Sequence, residues 1–410
     1  MSPRARVAPV PPAFTVAEVL RVGLPDYTQE HRLPPQHWRV LRAIMACRTP
    51  QLGGHLYQCG NCAEQKFVPH SCRNRHCPTC QGANGYAWMQ EQADLLLPIP
   101  YFHIVFTLPH ALNPLIRQNP SACYDLLFAS ASTTLLESGR RELQAQLGVT
   151  SVLHTWSQSL MGHYHLHCIV TGGGLREDGS WASTPPHWLF PVHALSAMFR
   201  GKFRAGLQQL HQDGALEFHG QQKAFEAQAA FAAFLHEATR TKWIVYAKRP
   251  FAGPEVVLAY LARYTHRIGI TNHRILALDR DAHTVSFAYK DYADDSRKKT
   301  MTVSCEEFVR RMQLHILPER FVKIRHYGML ANRNRHTRIR QARSALPPAP
   351  APASIPTQSG AVDAAPAAEL PIGLPTICPH CHQKADWVLI KRVPHPHQRP
   401  SCTVPYLDSS

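Results

Sequence analysis

Residues 154–174 read HTWSQSLMGHYHLHCIVTGGG, and this stretch decides the fold. His163, His165 and His167 recur at the two-residue period of a β-strand, which points them to one face. His165 and His167 flank Leu166 with backbones ~6.5 Å apart, close enough to converge on one divalent cation. His163 shares the face but stands ~13 Å from His167, too far for one ion to join those two. Four His-x-His triplets occur in the chain, so the triplet needs support from elsewhere.

That support comes about a hundred residues downstream, in Tyr260-Leu261-Ala262-Arg263-Tyr264. Residues four apart lie on one face of a helix, ~6 Å along its axis, and Pro254 suits the first turn of such a helix. Two phenols would then be offered to one site. The plainer readings are an aromatic stripe packed in a core and histidines that are merely solvated or buried.

The cysteines are clustered. Cys-x-x-Cys occurs at Cys59/Cys62, Cys77/Cys80 and Cys378/Cys381 in a chain with twelve cysteines and no secretory signal, which favours metal ligands over disulfides. Fourteen residues separate the first pair from the second, a spacing that predicts one closed, structural Zn²⁺ site made of Cys59, Cys62, Cys77 and Cys80. Cys72 and His76 are additional candidate ligands. The C-terminal pair lacks a clear second pair; His380, His382, His395, His397 and Cys402 could complete a site, and a tail with incidental cysteines is the simpler expectation.

Composition sets the partner. The 410 residues carry a formal charge of +16, the sequence pI is about 9.5, and 44% apolar content indicates a globular chain. A polyanion is expected to bind. No run of 18 apolar residues and no basic amphipathic anchor appear, so a membrane partner is not expected, and the predicted location is the cytoplasm. From Arg320 to Arg343 there are Lys, Arg, His and Tyr but no acid. Within it Arg333, Arg335, Arg338 and Arg340 are candidate DNA contacts, as are Arg73 and Arg75 in the cysteine loop.

The patterning predicts helices over 16–22, 36–45, 85–97, about 120–146, 223–238 and 306–314. Strands are expected over 101–108, around His165, over 242–248, and as a meander at 275–278, 285–289 and 301–303, with a hairpin turn at Asp178-Gly179. No Gly-rich nucleotide loop is present. The expected class is α+β with an antiparallel sheet flanked by helices. The expected domains are an N-terminal helical and zinc-binding DNA-recognition module over 1–100, a catalytic domain over 101–343, an Ala/Pro-rich disordered linker over 344–376, and a small Cys/His tail over 377–410.

Three blocks resemble the rolling-circle insertion-sequence transposases of the two-tyrosine HUH type. They are residues 154–174, the stretch YLARYTHRIGITNH at 260–273, and SCRNRHCPTCQ at 71–81 in the place of that family's zinc-binding region. They stand in the family's order, and the resemblance covers roughly residues 40–335. It implies an HUH fold, with His165 and His167 on a catalytic Mg²⁺ or Mn²⁺ and a third ligand drawn from His154, Gln158 or His163. It also implies Tyr260 and Tyr264 as nucleophiles that form a 5′-phosphotyrosine link on single-stranded DNA at element ends and target. A plasmid-type rolling-circle replication initiator shares that chemistry. A noncatalytic zinc protein regulating nucleic acid would explain charge and cysteines but not the tyrosines.

Overall fold

The computed structural model describes residues 12–81, 95–185, 190–251, 257, 268–292, 294–346 and 374–394. The first helix, α1 (Val16–Glu30), opens on a capping box: Thr15 accepts from the Glu18 N–H while Glu18 accepts from the Thr15 N–H. It runs eight residues beyond the expected end, through Pro25. Leu24 and Tyr27 continue the buried stripe begun by Val16 and Leu20, so tertiary burial outweighs the backbone hydrogen bond that proline forgoes. After α2 (Pro35–Ala46), strands β1 (Gly54–Cys59) and β2 (Gln65–Pro69) form a hairpin.

The large sheet contains β3 (Tyr101–Thr107), β4 (Gln146–Trp156), β5 (Gly162–Leu175), β6 (Trp181–Ser183), β7 (Val245–Phe251) and, later in the chain, β11 (Ile324–Gly328). Its order is β11-β4-β5-β3-β7, with β6 on the end of β5, and every pairing is antiparallel. The expected turn at Asp178-Gly179 joins β5 to β6, and Gly179 has φ 85°.

The two faces of this sheet differ because the sequence alternates. Phe102, Ile104 and Phe106 on β3, Leu153 on β4, and Tyr164, Leu166, Cys168 and Val170 on β5 turn to one side. There they meet α3 (Pro120–Leu143), α4 (Val192–Gln212) and α5 (Gln228–Arg240) through Leu127, Phe128, Phe199, Phe203 and Leu235. Each such side chain contributes roughly 1.5–3 kcal/mol of burial, and a one-residue slip would turn all of them outward. The register is therefore pinned. The opposite face receives what is left, and that is where the histidines lie.

A second sheet, in the order β10-β9-β8, is the expected meander: β8 (Ile275–Asp279), β9 (Thr284–Asp291) and β10 (Arg297–Ser304). It packs with α1 and α6 (Cys305–Gln313) around Val285, Phe287 and Phe308. Ser304 caps α6, whose first-turn Glu307 pairs with Arg310 and Arg311. Inside the basic stretch, β11 and α7 (Arg335–Ala345) are ordered elements rather than a plain basic face. Finally β12 (Trp387–Val393) lies antiparallel to β1, so a segment expected as a tail sits in the N-terminal sheet, in the order β12-β1-β2. Most of the expected helix at 85–97, and residues 347–373 of the expected linker, lie outside the described residues. Among the described residues no helix is long and apolar enough to cross a membrane.

Candidate active site and metal-binding clusters

Register brings the first site together. His165 on β5 stands directly opposite His154 on β4, and His167 opposite Val152 on β4 and Val105 on β3. One ligand nitrogen from each of His154, His165 and His167 lies within 4.8 Å of the others. The three rings are 4.5–5.3 Å apart between centroids. His163 shares the face and its ring lies 4.8 Å from that of His165 and 5.5 Å from that of His110, but it is not part of the trio.

Neighbouring groups orient these rings. The Nδ1 of His165 is 3.0 Å from the His163 carbonyl oxygen, which can only accept, so Nδ1 carries the proton and the lone pair is on Nε2. The Nδ1 of His167 is 2.9 Å from Nε2 of His103, in nearly coplanar rings. Burial, helped by Lys248, lowers the His103 pKa to about 4, so this ring is neutral near pH 7. His154 is 2% exposed and stacks on Trp156 at 4.5 Å. His103 was not anticipated, although a lone histidine in the apolar run Tyr101-Phe102-His103-Ile104 was a legible signal.

Tyr260 and Tyr264 lie outside the described residues, as does Pro254. The ends of their segment are described. Val257 is fully buried in a cluster with Ile169, two residues beyond His167 on the same strand face. Gly269 approaches the Trp156 ring, where an added Cβ would stand 3.7 Å from it. The described residues on either side of the segment, Val257 and Gly269, thus sit by Ile169 and Trp156, which lie on the two strands that carry the trio.

Basic and aromatic groups border this face. Register places Tyr246 opposite Val105 and Lys248 opposite His103, and Tyr246 is 51% exposed. On the far side, α7 buries Ile339 and Ala342 in the cluster that holds Ile169, and leaves Arg340 exposed and Arg335 and Arg338 half-buried. Arg333 is exposed just before it. Arg73 is exposed too, with φ 51°. Arg75 is different: its guanidinium donates to the carbonyls of Pro318 and Phe321. Half-buried, Arg75 thus has a structural contact that the expectation of a DNA role did not include, since its donors hold the cysteine loop to the body of the protein.

The cysteines assemble in a way their spacing did not indicate. Cys77 and Cys80 gather with Cys47 and Cys72, while Cys59 and Cys62 gather with Cys378 and Cys381; within each set the sulfurs lie within 4.8 Å of one another. The single set of Cys59, Cys62, Cys77 and Cys80 is thus corrected. The first pair sits at the tip of the β1–β2 hairpin, and the second packs in the core beneath α1 and α2. Cys72, an additional candidate, lies in the Cys47 set. His76 does not: its Nδ1 lies 3.0 Å from Asn74 Oδ1, and its Nε2 accepts from the Leu317 N–H at 3.1 Å. Cys47, alone at the end of α2, carried no spacing signal.

Comparison with known proteins places this arrangement. Residues 148–338 match the family model described as "Putative transposase", and residues 19–108 match "Transposase zinc-binding domain". A protein named "Putative transposase y4qJ" from Sinorhizobium fredii (strain NBRC 101917 / NGR234) is 42% identical over 335 residues, 81% of this chain and 84% of that one. The chain belongs to the IS91-type insertion-sequence transposases. The "Transposase for insertion sequence element IS801" of Pseudomonas savastanoi pv. phaseolicola is 29% identical over 301 residues, 71% of this chain and 69% of that one. A solved conjugative relaxase, TrwC with origin-of-transfer DNA, overlaps 42% of this chain and 71% of its own at 16% identity, with a TM-score of 0.22. As a member of its family this transposase is an α+β, DNA-binding enzyme of rolling-circle transposition, and it carries a zinc-binding domain. Cys378 and Cys381 fall outside both matched spans.

Proposed function

We propose that His154, His165 and His167 hold the catalytic divalent cation, and that Tyr260 and Tyr264 are the nucleophiles that attack DNA beside it. Three imidazoles whose nitrogens lie within 4.8 Å of one another would supply three ligands of a coordination shell, leaving its other positions for phosphate and water. This supplies the third ligand, His154. An all-nitrogen set suits Mn²⁺ better than Mg²⁺, which prefers oxygen. The bound cation would withdraw charge from the scissile phosphate. With the metal on Nε2 of His167, its Nδ1–H donates to neutral His103, which fixes the ring as carboxylates and carbonyls do at other metal sites.

The observation that carries the tyrosine assignment is the bracketing of their segment. The sequence pattern there is that of a helix, on which Tyr260 and Tyr264, four apart, would share one face, and the described Val257 is buried beside Ile169 on the histidine face. A phenol oxygen then forms a bond to phosphorus while the bond from phosphorus to the 3′ oxygen breaks. The products are a 5′-phosphotyrosine and a free 3′-hydroxyl, with the phenol proton passing to solvent or base. The covalent link conserves the phosphodiester energy, so rejoining needs no nucleotide cofactor.

The DNA is a single strand from the element's end or target. Its phosphates run along Arg333, Arg335, Arg338 and Arg340 on one flank, and its bases stack on exposed Tyr246 on the other. Arg73 meets duplex or strand backbone from the N-terminal module, whose zinc is held by Cys47, Cys72, Cys77 and Cys80. The test is direct: protein, Mn²⁺ and a single-stranded end oligonucleotide should give an adduct resistant to denaturant, and peptide mapping should place it on Tyr260 or Tyr264. An adduct that persists in the Tyr260→Phe, Tyr264→Phe double variant refutes the assignment.

A further inference from the structure

The cysteine set at the hairpin tip joins residues from opposite ends of the chain. Cys59 and Cys62 turn between β1 and β2, and Cys378 and Cys381 turn just before β12. The two turns are the same knuckle built twice. The Ala63 N–H donates to the Cys59 carbonyl at 2.9 Å, and the Cys59 N–H to Glu64 at 2.8 Å. Likewise His382 donates to Cys378 at 2.9 Å, and Cys378 to Gln383 at 2.9 Å. The residue after each second cysteine is left-handed, Ala63 with φ 60° and His382 with φ 57°, a conformation non-glycine residues adopt only when their surroundings enforce it.

The spacing of the sulfurs is that of a metal site. Cys62 and Cys378 are 3.6 Å apart, against ~3.8 Å between thiolates on a tetrahedral zinc and ~2.05 Å in a disulfide. The core beneath is small: Tyr57, Val68, Leu374, Ala385 and Trp387 are its buried side chains apart from cysteine. So small a core needs a further tie to hold a three-stranded sheet. We propose that Cys59, Cys62, Cys378 and Cys381 bind a second structural zinc ion, distinct from that of Cys47, Cys72, Cys77 and Cys80, and that it clasps residues 374–394 to the N-terminal hairpin.

Zinc analysis of the purified full chain should find two ions per chain, falling to one in the Cys378→Ser, Cys381→Ser variant. One ion in the native protein, or two in the variant, overturns the proposal. The clasp has its own readout, independent of nicking activity and of whether the variant folds. A protease site inserted within residues 347–373 lets the native chain be cut after folding. The C-terminal fragment should stay with the body during gel filtration in zinc and separate after chelation. A fragment that separates in zinc, or stays bound after complete removal of zinc, shows that no metal clasp exists.

Discussion

The histidine trio and the cysteine quartets are both metal-ligand clusters, built on opposite physical plans. The histidines would ligate as neutral imidazoles, come from two adjacent strands of one sheet, and supply three ligands. Four cysteine thiolates would enclose an ion and leave no position for substrate. An open site can exchange its metal and use it; a closed site uses its metal to hold chain segments together. The difference lies in ligand number and charge, and it is exposed by removing ligands one at a time.

The largest effect is expected where the open site loses a ligand. His167→Ala should lower Mn²⁺-dependent nicking by ~10³-fold or more, since several kcal/mol of transition-state charge stabilisation depend on the ion. The melting temperature and zinc content should stay near native. If His167→Ala instead released zinc or unfolded the protein, the trio would be structural and the contrast with the cysteines would fail.

Next comes a histidine near the trio that is wholly structural. His315 is buried, with Nε2 donating to the Leu160 carbonyl at 2.9 Å and Nδ1 3.2 Å from the Thr155 hydroxyl. Burial lowers its pKa to about 4 from an ordinary 6.5. Because the folded pKa is depressed, the neutral ring's stability is fully present above about pH 6.5. It is lost as pH falls towards 4, up to ~3 kcal/mol in all. His326, held down to about 4 by burial and then by Arg335, adds to the same window. Unfolding by denaturant at pH 7 and pH 4.5 should show the loss, and His315→Gln should show less of it. An equal pH dependence in native and variant protein would remove His315 from the account.

How far the sequence revealed these sites follows from the same contrast. A strand's two-residue period puts His165 and His167 side by side without help from the rest of the fold, and the apolar residues between them fix which face they take. Strands β3, β5 and β7, the meander and the acidic start of α6 were legible for the same reason, because their information is local, whereas β4 and β11 were not anticipated. A Cys-x-x-Cys pair is only half a site, and nothing within four residues says which other half it meets. Cys59/Cys62 joins a pair more than three hundred residues away, and Cys77/Cys80 joins Cys47 and Cys72, which form no such pair. The extension of α1 through Pro25 was hidden too, since it depends on burial against partners distant in sequence.

A smaller effect tests the support of the open site. His103→Ala removes the hydrogen-bond partner of His167 while leaving all three proposed ligands. Loss of such a partner typically weakens metal affinity 10–100-fold. Nicking measured against Mn²⁺ concentration should need that much more metal and recover at saturation. No recovery at high Mn²⁺ would mean that His103 acts in the chemistry itself.

The smallest effect separates two arginines in one loop. Arg73 is exposed, whereas Arg75 donates to the carbonyls of Pro318 and Phe321, and burial lowers its pKa. Arg75→Ala should destabilise the protein by about 2 kcal/mol, since it strips charged donors from two carbonyls, and leave the salt dependence of DNA binding unchanged. Arg73→Ala should leave stability within about 0.5 kcal/mol and lower the slope of log affinity against log salt by about one. The paired measurement is informative because charge and sequence position are nearly the same for both residues. If both substitutions change the salt slope equally, the cysteine loop contacts DNA along its whole length. If neither does, the loop serves only to hold the N-terminal module on the body, and DNA contact falls to α7 and its flank.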